Sequence, residues 1–387
     1  LLNYRVYSVS IGKVKIILIV LILLLSVYLS TKSFQIIMRA DKLHSLLLFI
    51  ISFTMISVVI FFSSVIKGQL SYKNIIYMWL FPMLISPTIL AMKITKNISF
   101  FKKFDDIVWL LSIISLFFWL LSLINFPTNS GIVISWGAVR SVPGYFYVHF
   151  ITQGSVSYFG HSMIRNTGIF AEAPMFSFIV SLALIFHTII EESKLTDIKN
   201  VVYISTICST FSSTGFIIVA LLLAIEIIGK HFQGYKRPLV LLILFITGLI
   251  INWIVQLKQK NMYGSYSIRM NDLYSGYLAF LDHPILGNGL NNSNAAINYM
   301  MAERIWGSQK NTGFSLGIID MLSKGGIYYT FFWAIFPMFM FTIRYKNNKE
   351  KYLPFLIFVL LTLTIINQTF AYSFLMIYFW IFGVLGN

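Results

Sequence analysis

Residues 43–66 read LHSLLLFIISFTMISVVIFFSSVI, an apolar run that contains no Asp, Glu, Lys or Arg. A helix of about 20 apolar residues spans the hydrocarbon core of a bilayer, which is about 30 Å thick. The run therefore predicts a membrane-spanning helix. Similar runs recur on both sides of it, from Ile16 to Phe382, so the sequence predicts a polytopic helical membrane protein.

The composition of the whole chain excludes a soluble domain. Of the 387 residues, 58% are apolar and 11% are charged, against about 25% charged in an ordinary soluble domain. The formal net charge is +16, but Lys and Arg cluster in short segments between apolar runs, where they orient a membrane protein. Nucleic acid is therefore not an expected partner. The single cysteine, Cys208, supports neither a disulfide framework nor a thiolate metal site.

Apolar runs bounded by charged residues predict eleven helices. They lie near residues 16–30, 43–66, 74–92, 107–125, 173–190, 201–213, 215–229, 238–255, 325–343, 354–367 and 370–385. The expected fold is all-α, a polytopic membrane bundle of about 11 to 12 transmembrane helices in one integral membrane domain, residues 1–387. The sixth and seventh helices flank a polar stretch, Ser209 to Gly215, which favours a tight hairpin or a re-entrant pair.

The distribution of basic residues predicts the orientation of the bundle. Four short segments together hold 13 Lys and Arg and are expected to be cytoplasmic, namely 93–106, 191–200, 230–237 and 344–351. Two long loops, 126–172 and 256–324, then fall on the extracytoplasmic side. Counting back places the N-terminal tail outside although it carries Arg5, Lys13 and Lys15, so the position of the N-terminus stays open. Within the second loop, the apolar spacing over 266–280 predicts a helix on the membrane surface that ends at Asp282-His283-Pro284.

Several familiar chemistries have no motif in this chain. The sequence contains no GxxxxGK phosphate loop, no HExxH zinc helix, no GxSxG nucleophile elbow and no glycine fingerprint for a dinucleotide, so we expect neither a cofactor nor a metal. The acidic pair Asp105-Asp106, beside Lys102 and Lys103, is typical of a charged helix end. The candidates for chemistry are therefore the arginines, carboxylates and histidines of the two outer loops, since arginine binds phosphate with two parallel hydrogen bonds.

Three segments of these loops carry a resemblance to a known family. The segment RNTGIFAEAP, Arg165 to Pro174, and the later Ser213-Thr214-Gly215 resemble motifs of the bacterial O-antigen and capsule repeat-unit polymerases, the Wzy-type family. Arg269 followed by AFLDHPILGNGL, Ala279 to Leu290, resembles a pattern that these polymerases share with O-antigen ligases. The closing segment of the family is similar to Asn311-Thr312-Gly313-Phe314 and the later Lys324-Gly325-Gly326-Ile327.

The resemblance implies a metal-independent glycosyltransferase in the bacterial inner membrane. Its substrates would be undecaprenyl-pyrophosphate-linked glycans, joined on the extracytoplasmic face into O-antigen, capsule or exopolysaccharide, with a chain-length regulator and a flippase as possible partners beside the lipid bilayer. Arg269 would bind the pyrophosphate, Arg165 the pyrophosphate or the glycan, and Glu172 would activate the acceptor or hold Arg165. His283 is a second candidate base. The expected substrate-binding residues are Arg304, Lys310, Asn311 and Tyr274.

Two other functions stay open. An O-antigen ligase shares part of the pattern, but Lys310 stands where ligases keep a histidine before Asn311, which argues against ligation. A flippase or another transporter of lipid-linked oligosaccharides would mark its path with ionisable residues near the bilayer midplane, and the predicted helix interiors are almost free of charge. Ordinary structural roles also remain open for two of these residues. Glu172 would then be a carboxylate that stabilises the start of a helix, and His283 would be a histidine in a turn.

Overall fold

The computed structural model describes residues 6–8, 10, 14–95, 100–136, 138–158, 161–231, 263–306, 312–344, 353–365 and 377–381. Its helices are α1 (Val14–Arg39), α2 (Leu43–Ile66), α3 (Tyr72–Thr95), α4 (Phe100–Leu123), α5 (Ala173–Ile190), α6 (Ile198–Ser209), α7 (Ser213–His231), α8 (Tyr263–Asp282), α9 (Asn294–Ile297), α10 (Ala302–Trp306), α11 (Gly317–Thr330), α12 (Phe336–Arg344) and α13 (Leu353–Ile365). Five strands are present: β1 (Ser130–Trp136), β2 (Ala138–Tyr145), β3 (His149–Phe150), β4 (Ser155–Tyr158) and β5 (His161–Ile164). The described chain is thus mostly helical.

Six helical stretches of the described residues are long and apolar enough to cross a membrane. They are α1 to α5 and the continuous stretch of α11 and α12, which a π-helix, Phe331–Ile335, joins. Large apolar side chains on their outer faces are exposed, as Met55 (67%) and Phe62 (65%) on α2 illustrate. Such faces suit contact with lipid. The chain is therefore a membrane protein, and the predicted helix near 238–255 lies outside the described residues.

The chain divides into two compact units by its internal contacts, and the prediction of one integral membrane domain stays a prediction. Unit 1 comprises residues 1–12 and 100–267, and unit 2 comprises residues 13–99 and 268–387. In unit 1, α4, α5, α6 and α7 pack together, and Phe186 of α5 contacts the rings of Phe101 and Phe104 at centroid distances of 4.8 and 5.8 Å. In unit 2, α1 packs against α3.

The predicted outer loop 126–172 contains two small antiparallel sheets, which the all-α expectation did not include. One sheet has the order β1-β2-β3, with Ile134 opposite Arg140, and the other pairs β4 with β5. Val6, Ile134, Val142 and Phe150 form a buried apolar cluster on the first sheet. The short strands thus gain stability by packing against another segment, which local sequence does not reveal.

Two local predictions agree with the structure. Helices α6 and α7 are separate, and the chain turns between them at residues 210–212. The helix predicted over 266–280 is α8, which ends at Asp282 as the following His283-Pro284 pair indicates. Boundaries drawn at charged residues were less accurate, because α4 begins at Phe100 and carries Lys102 and Asp105 inside the helix.

Candidate functional site

In unit 1, the segment from Arg165 to Pro174 is held by side-chain and main-chain hydrogen bonds. Arg165 is half-buried, and its Nε donates a hydrogen bond to the Thr210 carbonyl at 3.0 Å. Asn166 is fully buried, and its Oδ1 accepts from Ser115 Oγ at 2.6 Å while its Nδ2 donates to Ser209 Oγ at 2.9 Å. The structure therefore joins this segment to the turn between α6 and α7.

Two residues just past Asn166 attach the segment to the small sheet and to α5. Thr167 Oγ1 donates to the Phe150 carbonyl, and Phe150 N donates to the Gly168 carbonyl at 2.8 Å. Gly168 has a φ of +52°, and a Cβ there would lie 3.1 Å from the ring of Phe176. The tight turn of the RNTG sequence thus requires glycine on both counts.

Glu172 lies at the start of α5, as its position before Ala173-Pro174 suggests. It is the N-cap residue, with extended backbone, and its carbonyl accepts the first helical hydrogen bond from Met175 N at 3.1 Å. Its half-buried carboxylate makes no capping hydrogen bond to the helix. Glu172 therefore has the position of a helix-start carboxylate, and its role in acceptor activation stays a prediction.

In unit 2, helix α8 has an inverted arrangement of polar and apolar faces. Its polar residues Asn271, Asp272 and Ser275 are buried, while Tyr274 (61%) and Tyr277 (51%) are exposed. Arg269 lies one turn before this exposed pair and is half-buried. An apolar and aromatic outer face suits the interface of a bilayer, where tyrosines concentrate. Arg269 and Tyr274 thus lie on one helix, as the spacing over 266–280 predicted, and the outer location of this helix and the binding roles of both residues remain predictions.

Arg304 takes part in a buried ion pair. Its Nη1 lies 2.8 Å from Asp272 Oδ1 and 2.9 Å from Asn271 Oδ1, and its Nη2 donates to the Gly313 carbonyl at 3.0 Å. The Arg304 side chain is 8% exposed and that of Asp272 is fully buried. The other carboxylate oxygen of Asp272 accepts from Ser315 N at 2.9 Å. This network fastens α10 and the 313–315 segment to α8, so Arg304 forms a salt bridge, an alternative open to each arginine of these loops, with a partner that the sequence did not indicate.

The segment HPILGNGL and the segment KGGI, which the family pattern separates along the chain, lie against each other in unit 2. Ile327 N donates to the Pro284 carbonyl at 2.8 Å, and Gly289 N donates to the Lys324 carbonyl at 2.9 Å. A Cβ on Gly287 would lie 2.3 Å from Gly325 N, and one on Gly326 would lie 2.4 Å from the Ile285 carbonyl oxygen. The glycines therefore allow two stretches of backbone to touch.

His283 and Lys67 flank this glycine contact. His283 is exposed at the turn after α8, and its carbonyl accepts from Gly287 N at 2.9 Å. Lys67 Nζ donates to the Gly287 carbonyl, and burial lowers the pKa of its ammonium group. Lys67 was not a sequence candidate, because it directly follows the apolar run of α2. Lys310 and Asn311 lie outside the described residues.

A second polar cluster, at the other ends of the unit 1 helices, was missed. Asp105 is buried, and its Oδ2 lies 2.7 Å from Lys199 Nζ and 3.3 Å from His187 Nδ1, while Tyr203 donates to its Oδ1 at 2.7 Å. His187 Nδ1 also lies 3.1 Å from Glu191 Oε2. The available signals were the Asp105-Asp106 pair, which we interpreted as a charged helix end, and the four-residue spacing of His187 and Glu191.

This cluster also contains the described residues best arranged for a metal ion. One ligand atom each from Asp105, His187 and Glu191 lies within 4.8 Å of the others. A metal ion there would compete with Lys199, whose ammonium group already binds the same carboxylate.

Comparison with family models, with curated proteins and with solved structures finds no match to this chain.

Proposed function

We propose that the protein is a membrane glycosyltransferase that polymerises undecaprenyl-pyrophosphate-linked oligosaccharide repeat units. One observation carries the proposal: segments that resemble separate parts of the polymerase pattern are in direct contact in unit 2, and in unit 1 one such segment bonds to the turn that precedes another. Arg165 and Asn166 bond to the turn before Ser213-Thr214-Gly215, and the HPILGNGL segment meets Lys324 to Ile327. Such an assembly of segments that lie far apart in the sequence supports the proposal.

The proposed reaction is a displacement at the anomeric carbon of the donor glycan. The acceptor hydroxyl oxygen forms the new glycosidic bond while the bond to the pyrophosphate oxygen breaks, and the pyrophosphate leaves with the electron pair. Arg269 and Arg165 would stabilise the charge on the leaving group, in place of a metal ion. Glu172 or His283 would accept the hydroxyl proton. Tyr274, Arg304, Lys310 and Asn311 are the proposed glycan contacts.

The proposal includes a topology and a location. The chain would lie in the bacterial inner membrane with 11 to 12 transmembrane helices, and the segments 126–172 and 256–324 would face outward. The low content of basic residues in those two segments supports this orientation. Besides the bilayer and its lipid-linked substrates, the expected partners are a chain-length regulator and a flippase.

Deletion of the gene from its host distinguishes a polymerase from a ligase. Loss of the polymerase should abolish long polymer and leave lipid carrying a single repeat unit. A deletion strain that still makes long polymer, but does not attach it to lipid A core, would contradict the proposal and indicate a ligase. A strain that accumulates repeat units on the cytoplasmic side would indicate a flippase.

Arg269→Lys provides a test at residue level. A guanidinium can bind pyrophosphate with two parallel hydrogen bonds, which an ammonium group lacks, so the lysine variant should lose polymer about as severely as Arg269→Ala. Arg140→Lys, at an exposed position on β2, is the control and should retain polymer. Polymer length is read on a gel beside an immunoblot for abundance. Normal polymer from Arg269→Lys would remove Arg269 from the proposed site.

A further inference from the structure

The turn between β2 and β3 is an exposed, apolar point of unit 1. It consists of Phe146, Tyr147 and Val148, and all three side chains are exposed, that of Phe146 to 64%. Charged residues are scarce around it, since the sequence from 126 to 164 contains only Arg140 among Asp, Glu, Lys and Arg. A soluble segment of this length would hold about ten. An exposed apolar surface of this kind marks a place of contact with a membrane or a protein.

The backbone of this turn is strained, and other segments hold it in place. Phe146 and Tyr147 have φ of +48° and +59°, a region that bulky residues rarely adopt. Asn129 Oδ1 accepts from Phe146 N at 2.8 Å, and Ser130 Oγ accepts from Tyr147 N at 3.1 Å. Tyr7 OH donates to the Tyr147 carbonyl. Three side chains thus support a conformation that leaves two aromatic rings exposed, where hairpin turns usually have Asn and Gly.

Ring contacts place the turn beside α4, one of the helices long and apolar enough to cross a membrane. The ring centroid of Phe146 lies 6.0 Å from that of Phe118, and Tyr145 stacks on Phe118 at 5.4 Å. Tyr145 OH also donates to the Phe126 carbonyl at 2.7 Å. Phe118 lies about 7.5 Å along the helix before Leu123, the last residue of α4. The turn therefore reaches back beyond the end of α4, to a level inside the helix.

The exposed face of α4 at this level is also apolar. Phe117, Leu120 and Ile124 are exposed and follow one another at spacings of three and four residues, which places them on one face. The ring of Phe117 lies 5.2 Å from that of Phe118, which in turn contacts the turn. The apolar surface of a helix suited to cross a membrane thus continues onto the turn.

We propose that the turn at residues 146–148 inserts into the interfacial layer of the bilayer, where headgroups meet acyl chains. Tyrosine rings concentrate in that layer, and phenylalanine and valine suit its apolar side. Lipid fits better than a protein partner, because the turn lies at the level of a helix face that is itself suited to lipid. The bonds to Asn129 and Ser130 also make the shape of the turn independent of water, which is scarce there. The proposal does not rest on the polymerase activity, because it involves none of the proposed site residues.

Quenching by lipid-borne nitroxides tests the insertion. In a Cys208→Ala background, Phe146→Cys is compared with Val139→Cys, a position that is 65% exposed near the other end of β2. Each full-length variant is labelled with a small fluorophore and reconstituted into vesicles of phosphatidylethanolamine and phosphatidylglycerol. A fraction of the lipid carries a nitroxide near the ester end of an acyl chain. We expect about threefold stronger quenching at position 146, because the strand separates the two positions by about 20 Å.

Iodide in the aqueous phase provides the converse measurement. It should quench the label at position 139 more strongly than the label at position 146. Stronger iodide quenching at 146 than at 139 would overturn the proposal, because the turn would then face water. A label at 146 that is shielded from both iodide and the nitroxide would also overturn it and would indicate a protein partner, such as a second copy of the chain.

The unmodified chain gives a second readout, which holds even if the cysteine variants do not fold. A lipid with a photoreactive diazirine near its ester group is added to the same vesicles and activated by light. Trypsin cleavage after Arg140 and Arg165 then releases the turn in one peptide, separate from Val139, for mass spectrometry. We expect lipid adducts at residues 146–148 and none at Val139. Adducts on α4 without any on the turn would contradict the insertion.

Discussion

The two segments that resemble the polymerase pattern are fixed in different ways. In unit 1, the segment after Arg165 is held by the buried amide of Asn166 and by main-chain hydrogen bonds at Asn166 and Gly168. In unit 2, the segment before Leu290 is held by the buried amide of Asn288, by main-chain hydrogen bonds to Ser323 and Lys324, and by a close backbone contact between Gly287 and Gly325. Both segments use a buried amide and main-chain bonds, but only the second also depends on the absence of side chains at a contact between two backbones.

This difference determines which substitutions each segment tolerates. A conservative polar change in unit 1 can preserve a hydrogen bond, but no side chain can replace hydrogen at a backbone contact in unit 2. Conversely, the exposed residues of unit 2, such as His283 and Ile285, can change without disturbing the contact beneath them. Loss of function at exposed His283 would therefore be attributable to chemistry more directly than loss at Asn166.

Gly287→Ala should produce the largest effect. The φ of +66° alone costs alanine about 1 to 2 kcal/mol, and its Cβ would lie 2.3 Å from Gly325 N, a backbone atom that cannot rotate away. We expect a total loss of stability of about 3 to 5 kcal/mol and little protein in the membrane. Gly68→Ala is the matched control, because its φ is +64° but nothing lies within 4 Å of the added Cβ. Similar melting temperatures for the two variants would contradict the backbone contact.

Arg304→Ala tests the main side-chain contact of unit 2. It leaves the carboxylate of Asp272 buried without its cation, and we expect a loss of about 3 kcal/mol. Lys324→Ala breaks a partly exposed pair with Asp320 and should cost less than about 1 kcal/mol. Abundance and melting temperature are measured together with polymer. If Arg304→Ala loses polymer at normal abundance and stability, Arg304 contacts substrate as the sequence predicted.

The helices were predictable because the length of an apolar run can be read directly from the local sequence. Residues 43–66 and 173–190 match α2 and α5 at both ends, since each run is bounded by turn or charged residues. The two sheets in 126–172 were not predictable, because their strands are short and depend on contacts such as the one between Val6 N and the Ile169 carbonyl. Such contacts join positions far apart in the chain.

The candidate site was predictable in outline only. The segment that resembles the family pattern includes Gly287 and Gly289, whose φ of +66° and +103° are values that favour glycine. The pattern did not indicate that Asp272 would pair with Arg304, because a carboxylate and an arginine 32 residues apart give no local signal. The role of each charged residue toward substrate remains a prediction.

Asn166→Ala tests the side-chain attachment of unit 1. The variant removes the amide to which the hydroxyls of Ser115 and Ser209 bond. Water does not replace it at this buried site, so we expect the free energy of unfolding to fall by about 2 kcal/mol. Asn129→Ala is the control, since the Asn129 side chain is exposed and accepts only from Phe146 N among the described contacts, at 2.8 Å. Its effect should be well under about 1 kcal/mol. A tolerant Asn166 would mean that the unit 1 segment is held by its main-chain hydrogen bonds.

The smallest expected effect is a pH dependence confined to unit 1. Burial lowers the pKa of His149 to about 4 from 6.5, and Phe150 beside it bonds to both Thr167 and Gly168. Between pH 6.5 and 4 the unfolded chain therefore binds more protons than the folded one, so stability falls as the pH falls through that window.

At pH 5.5 the expected loss is about 1 kcal/mol relative to pH 7.5. His149→Phe, which keeps a ring beside Phe118 and Tyr145, should reduce the slope of melting temperature against pH, while His44→Phe at an exposed position of α2 should leave it unchanged. Backbone contacts between glycines do not titrate, so the contact of Gly287 with Gly325 contributes no such slope. An unchanged slope in His149→Phe would show that His149 is not the group that makes unit 1 sensitive to acid.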